Sequence, residues 1–437
     1  MKNDILIIGS GLAAITASRL LIENGHHVTL ISSDYTNDDL YKKGNLPSAR
    51  INNDFSKIND DFIKRYEIKV KNFSIIGSNA LGGLSNVWGA GYKVNKAYLK
   101  RHNKKNFQDK ILDYFKIVEK NYEKNEFRDY IIPFSNKKVH FSKPYFFKSQ
   151  KNNRNYSTKD HLDELKRNKN FSFFPDHFVT KITKNKNMTF DIYIENNKKK
   201  LFNFKKIVLA LGTIGSTKIL LEYLNLYNHK VRLKHNPQIA ILGFLKKKTI
   251  NIKKIIEGDV FFTVKNNEDH LCSVGLLGNI SDDIVDVIIK KFFFIPSLFI
   301  KFFFKIFKNR VFVGNCFLPN EFSDTYLTLN HNGLSIKGDY KNNFYEFEKD
   351  TLKKIKKSFS KFSFFTLCYR MPVGSDIHYT GTVNNQNHYS LEINKNYSLK
   401  KDGNIFIIDG SVVEGNPIYP GWYIINNSID FAYKFSK

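Results

Sequence analysis

The chain has 437 residues, of which 42% are hydrophobic and 15% aromatic, and a formal net charge of +28. Its length exceeds one ordinary core and predicts two or three domains, or a large domain carrying an inserted one; the apolar content excludes disorder as the general state. The charge invites nucleic-acid binding, but Lys scattered among Asn carries most of it, as at Asn196-Asn197-Lys198-Lys199-Lys200, and not a stripe of Arg forks, so no nucleic-acid partner is expected and the charge is left to an anionic membrane surface or an acidic substrate.

Cys272, Cys316 and Cys368 are far apart and form no Cys-x-x-Cys pair. A reducing compartment fits this usage, and neither a zinc site nor a disulfide framework does; no metal is expected. Residues 1–4 run straight into an apolar strand and a glycine turn, without the pattern of a cleaved signal, which predicts a cytoplasmic protein.

Residues 5–8 form a short apolar run, as a buried parallel strand requires. Gly9-Ser10-Gly11-Leu12-Ala13-Ala14 follows, then a helical pattern over 15–24, Gly25, and a second strand over 27–31. In this spacing Gly9 permits the tight turn. Gly11 lets a pyrophosphate approach the backbone, and Ala14 is small enough for close helix–strand packing. The helix N-terminus offers free N–H groups to the phosphates. The motif alone is weak. Set between two strands at the start of the chain, it predicts a dinucleotide-binding βαβ unit. Ser32 ends the second strand where a ribose-binding acid is expected; its hydroxyl, Ser33 or Asp34 is left to take that role.

Residues 76–92 carry Gly82, Gly83, Gly89 and Gly91, whose backbone can approach a flat ring closely. Ser85 and Asn86 add polar handles, and Trp88 a planar wall. Two helices are predicted over 110–124 and 159–168. Residues 207–211 read as a buried strand, Gly212 and Gly215 as a turn, and a helix starts near Ser216. Strands follow over 239–244, 259–264, 311–317 and 326–336, the last broken by the hairpin turn Asn330-His331-Asn332-Gly333. Between them, residues 287–307 mix Phe with Lys and fall short of a spanning helix. This stretch suits either an interfacial segment against anionic headgroups or two core helices broken at Pro296. Towards the C-terminus come Gly374 to Thr382, with His378 inside it, then a strand ending in Asp409-Gly410-Ser411. The loop 414–423 follows, and then a helix over 424–431 in which Asn426 and Asn427 read as local hydrogen-bonding residues near the helix start.

Three of these segments resemble the glucose-methanol-choline (GMC) oxidoreductases. They are the Gly82-Gly83-Leu84-Ser85 loop with Asn86 and Trp88, the strand–Gly–helix stretch 206–221, and the Asp409-Gly410-Ser411 strand end. The likeness is discontinuous: residues 93–175 and 225–365 match loosely or not at all, and Thr217 stands where the family has Pro. The resemblance implies an α/β fold, a discontinuous Rossmann-like FAD-binding domain with an inserted α+β substrate domain containing an antiparallel sheet. The expected bounds are 1–240 with 370–437 for the first and 241–369 for the second. It implies FAD as cofactor, with Gly212, Asp409 and Gly410 as its neighbours beside Gly9, Gly11, Ala14, Ser32, Gly82, Gly83, Ser85, Asn86 and Trp88. In the family's His-x-x-Gly-Thr pattern, His378 is the base that takes a hydroxyl proton while hydride leaves for the flavin. Its partner position falls on Tyr419 when the last helix is aligned, and on Asn416 when the Asn-Pro dipeptide is. The implied activity is oxidation of a small-molecule alcohol, sugar and glycan hydroxyls included. The alternative is a reductase or desaturase acting on a lipid-like substrate at the membrane surface. Peripheral membrane contact, if made, falls on 287–307.

Overall fold

The computed structural model describes residues 5–33, 53–86, 88, 91–92, 139–142, 145–146, 157–195, 198–246, 260–265, 271–277, 289, 294, 296–307, 310–360, 363–384, 388–416 and 418–437. Asp34, Gly89 and the helix expected over 110–124 lie outside them.

The apolar run Ile5–Ile8 is buried at all four positions and forms the middle of a five-stranded parallel sheet. The order is Ile405–Ile407, Ile207–Leu209, Ile5–Ile8, Val28–Ile31 and Phe171–Phe174. Both ends of the chain and its middle thus share one sheet. Helices cover it, which is why its strands read as unbroken apolar runs. Leu12–Glu23 packs against Pro420–Phe435, and Gly212–Tyr223 packs against the strand Val179–Lys184 of a three-stranded antiparallel sheet.

Two helices begin earlier than expected. Gly212, at φ +80°, turns the chain within one residue, so the strand stops at Leu209 and the helix runs from Gly212 rather than from near Ser216. The last helix starts at Pro420, not at Ile424. Proline lacks the N–H that a first helical residue leaves unused, and its fixed φ suits that position. Asn426 and Asn427 therefore lie inside the helix. Asn426 Nδ2 donates to the Trp422 carbonyl at 2.6 Å, and Asn427 Oδ1 accepts from the Tyr397 hydroxyl at 3.3 Å.

The second large layer is a six-stranded antiparallel sheet in the order Ser363–Arg370, Gln238–Leu245, Val311–Phe317, Leu271–Leu277, Val260–Lys265 and Val139–Ser142. Helix Phe344–Phe359 covers one face, where Phe312 stacks on Phe359 and Ile239 and Ile241 join a separate core. Register sets the other face: Gln238 pairs with Phe317 and Ala240 with Asn315, and alternation turns these side chains away from Ile239 and Ile241. The expected hairpin joins Thr325–Asn330 to Gly333–Lys337 within a four-stranded sheet. Among the described residues no helix is long and apolar enough to cross a membrane.

Candidate active site

Gly9 sits at φ +118°, and a Cβ there would lie 2.3 Å from the Ala210 carbonyl oxygen. Only glycine lets the first strand turn into its helix while the neighbouring strand end passes so close. Gly11 differs: a Cβ there would meet nothing within 4 Å, because it would project into an open cavity. Gly83, across this space, would bring its own Cβ within 3.8 Å of the Gly11 Cα.

Hydroxyl groups join the glycine loop to this turn. Ser32 Oγ donates to Ser10 Oγ at 2.7 Å, and Ser10 Oγ accepts from the Gly82 N–H at 3.1 Å. Thr158 Oγ1 donates to the Ser10 carbonyl at 3.2 Å and lies 3.1 Å from Ser85 Oγ. Ser85 Oγ also donates to the Gly82 carbonyl at 2.7 Å. Asn86 is buried behind the loop, its Nδ2 donating to the Leu81 carbonyl and its Oδ1 accepting from Ser157 Oγ. At the far end of the second strand, Ser33 Oγ donates to the Asn79 carbonyl at 2.7 Å.

The cavity so formed measures about 390 Å³, within the size range of small-molecule and cofactor sites. Its walls take in Ser32 and Ser33 from the second strand and His378 and Tyr419 from the C-terminal segments. Three helices open onto it with their first turns, Leu12–Glu23, Gly212–Tyr223 and Pro420–Phe435. None of the three has a side-chain cap or an acidic residue in its first turn. The first turn of Leu12–Glu23 leaves its N–H groups and positive dipole end for an anionic ligand. At Gly212–Tyr223, by contrast, the Asp409 carboxylate already accepts from the Gly212 N–H, and at Pro420–Phe435 the Trp422 N–H donates to the Tyr419 carbonyl at 3.2 Å.

His378 reaches this cavity because its segment is pinned on two sides. Thr380 exchanges backbone hydrogen bonds with Lys234 at 2.9 and 3.0 Å. The Gly381 N–H donates to the Gly410 carbonyl at 3.1 Å, and Thr213 Oγ1 donates to the Tyr379 carbonyl at 2.6 Å. Asp409, buried, accepts from Ser216 Oγ and from the Ser411 N–H, which ties the last strand to the helix Gly212–Tyr223. Burial pushes its carboxyl above the ordinary value, against the pull of those hydrogen bonds.

Beneath His378 lies a buried polar network absent from the sequence expectations. Asp376 Oδ2 accepts from the backbone N–H of His378 at 3.2 Å and of Asn236 at 2.7 Å. Its Oδ1 meets His235 Nδ1 at 3.1 Å, and His235 Nε2 lies 3.1 Å from Thr325 Oγ1. Burial opposes ionisation of Asp376, but the charge and hydrogen bond of His235, the charge of His378 and the Asn236 N–H outweigh it and hold the carboxyl below its ordinary value. The His378 ring packs against Phe317, centroids 4.5 Å apart.

Of the residues singled out in the sequence, Gly9, Gly11, Ser32, Gly83, Ser85, Trp88, Gly212, His378, Asp409, Gly410 and Tyr419 line this one cavity. Trp88 closes against the start of the last helix, where a Cβ on Gly421 would lie 2.8 Å from its ring. Ala14, Gly82, Asn86 and Asn416 are not on the wall. Ala14 is fully buried in the core, and Asn416 Oδ1 accepts from Asn236 Nδ2 at 3.0 Å and the Asn320 N–H at 2.9 Å. Lining residues that the sequence reading missed include Tyr66, His177, Gln238, Asn315, Phe317 and Asp376. Asp376 stood inside the His378 segment and offered a signal; Gln238 and Asn315 stand in ordinary strand alternation and offered none.

No family model matches the chain, and no curated protein matches it by sequence. Solved structures do match along its whole length. Pyridoxine 4-oxidase from Mesorbium loti superposes with a TM-score of 0.64 at 12% identity, covering 99% of both chains. A formate oxidase of Aspergillus oryzae RIB40, from work on FAD modification, gives 0.65 at 10% identity, covering 99% of this chain and 98% of its own. At these identities the likeness is one of fold: a mixed α/β architecture with a parallel sheet and further antiparallel sheets.

Proposed function

We propose that this chain is an FAD-dependent oxidoreductase that transfers hydride from the CH–OH group of a small alcohol, sugar or glycan hydroxyls included, to the flavin. The observation that carries this reading is the convergence of three helix N-termini, two facing glycines and His378 on one cavity. A dinucleotide fits those features: the open side of Gly11 and the free N–H groups suit its pyrophosphate, and the loop from Gly83 to Trp88 suits a flat ring. The two solved structures named above each carry the name of an oxidase, and one was studied for FAD modification, which supports the same cofactor and reaction class. They lend no support to a reductase or desaturase.

Bound FAD would supply the hydride acceptor. The chain's part is to bind the alcohol and take its proton. His378 accepts the hydroxyl proton on its imidazole, whose ordinary pKa suits this at neutral pH. Phe317 restrains the ring, and the Asp376 carboxylate below favours the imidazolium that forms. Tyr419, at the start of the last helix and on the cavity wall, offers a hydroxyl to the substrate oxygen. Asn416 holds Asn236 and Asn320 in place and positions the loop.

The test is the absorbance spectrum of the purified chain under anaerobic conditions. A flavin spectrum that bleaches on addition of alcohols or sugars is expected. The variant His378→Ala should keep the flavin and bleach on the order of a hundredfold more slowly. A colourless protein, or equal rates with and without His378, would sink the proposal.

A further inference from the structure

The helix Ser297–Phe307 exposes large apolar side chains that a packed core would bury: Leu298 is 82% exposed, Phe299 65% and Phe302 62%. Ile300 and Phe304 turn inward, onto Val311 and the partly buried Leu242 and Phe244, and Phe303 is partly buried against the same cluster. The edge strand Ser363–Arg370 adds Phe365, Leu367 and Tyr369, each about half exposed. Phe244 joins the two surfaces: its ring stacks on Phe365 at 5.9 Å and meets Phe307 at 5.4 Å. Strand pairing of Phe244 with Phe365 and Leu242 with Leu367 puts these residues on one face of the sheet. Helix Phe344–Phe359 covers the opposite face. The result is a continuous apolar surface, of a kind that marks an interaction site on a folded protein.

Charge decides the partner. Lys301 and Lys305 are exposed within the same helix, which contains no Asp or Glu. Lys246 and Arg310 stand at the end of the sheet beside Phe244, the guanidinium of Arg310 donating to the Lys246 carbonyl at 3.0 Å. The core of a protein–protein interface is depleted of Lys. Aromatic side chains interleaved with cations on a short helix are the arrangement that enters the headgroup region of a bilayer, with the apolar rings in the acyl boundary and the ammonium groups on lipid phosphates and carboxylates.

We propose that this face docks the protein on an anionic membrane surface. The docked sheet is the one that lines the cavity, because the strand Gln238–Leu245 runs from Gln238 at the cavity to Phe244 at the apolar face. At strand rise these are about 20 Å apart.

Co-sedimentation of the full chain with phosphatidylcholine vesicles, with and without phosphatidylserine, tests this. Sedimentation with the serine-containing vesicles is expected, falling with added salt and weak on phosphatidylcholine alone. Replacing Phe299→Ser with Phe302→Ser should lower vesicle partitioning by at least about tenfold. Replacing Lys301→Glu with Lys305→Glu should do the same on anionic vesicles. The lysine pair lies on the surface and keeps the test decisive where the phenylalanine pair fails to fold. A chain that stays in the supernatant with either vesicle overturns the proposal. So does retention by the lysine variant equal to that of the unaltered chain, or a dimer in solution that the lysine variant abolishes, which would assign the face to a second copy.

Discussion

Asp376 and His235 meet 3.1 Å apart in complete burial, and the same carboxylate holds the backbone N–H of His378. A residue two places before the proposed base is thus anchored on a histidine from the start of the antiparallel sheet. The position of the imidazole over the cavity depends on a contact between the segments that flank two paired strands of the antiparallel sheet, Gln238–Leu245 and Ser363–Arg370, not on its own loop alone.

Removing that anchor should be costly, because Asp376→Ala leaves His235 and two buried backbone N–H groups without their acceptor. Destabilisation of about 3–5 kcal/mol is expected, measured by denaturant unfolding. The pH dependence has a definite sign. The folded carboxyl titrates below its ordinary value, so its contribution is fully present above the unfolded value near ~3.9 and is lost as pH falls through the depressed folded one. Melting temperature against pH should therefore show Asp376→Asn furthest below the unaltered chain at neutral pH, with the two curves converging in acid. Parallel curves would refute the assignment.

Tyr419 and Asn416 compete in the sequence for one role; Tyr419 lines the cavity and Asn416 does not. Tyr419→Phe should slow anaerobic reduction by at least about tenfold, since Tyr419 lines the cavity and would lose its hydroxyl there. Asn416→Ala should cost about 1–3 kcal/mol, because the Asn236 amide and the Asn320 N–H lose their acceptor. Its rate per bound flavin should stay near that of the unaltered chain. Stopped-flow reduction and thermal melts of both variants decide the matter, and a slow Asn416→Ala with native stability would reverse the assignment.

The two glycines of the first turn should fail in different ways. Gly9→Ala drives a Cβ against the Ala210 carbonyl at a φ of +118°, and the backbone strain alone costs about 1–3 kcal/mol before the clash is counted. Gly11→Ala meets no protein atom. It should fold normally yet bind FAD roughly tenfold or more weakly, because the methyl group occupies the space the pyrophosphate needs. Calorimetric titration of the apoprotein, alongside a thermal melt, separates the two effects.

The parts of the molecule that are legible in the sequence are those dictated by local rules. The Gly9-to-Ala14 spacing, the apolar runs at Ile5–Ile8 and Ile207–Leu209 and the Asn330-to-Gly333 turn each need nothing beyond their neighbours. Pro420 was a readable start for the last helix, and that start moved Asn426 and Asn427 inside it. What stayed hidden depends on register between distant strands. Ala240 pairs with Asn315 and Gln238 with Phe317 across a sheet, and alternation alone does not say which face meets a cavity. His235 and Asp376 lie 141 residues apart in the chain, and nothing near His235 marks it as a partner.

Asn315 gives the sharpest remaining test of the substrate end. It lies half-buried on the strand Val311–Phe317, two residues before the Phe317 that packs on His378. Its carboxamide borders the cavity and makes no hydrogen bond among the described residues. An amide so placed can donate to one substrate oxygen and accept from a second hydroxyl. Asn315→Ala should therefore raise KM by several-fold to about tenfold, the worth of one neutral hydrogen bond, with kcat and the melting temperature unchanged. Substrates with a second hydroxyl should lose more than simple alcohols, since only they use both ends of the amide. A uniform effect on all alcohols, or a fall in kcat without a change in KM, would place the contact in the transition state instead and remove Asn315 from substrate selection.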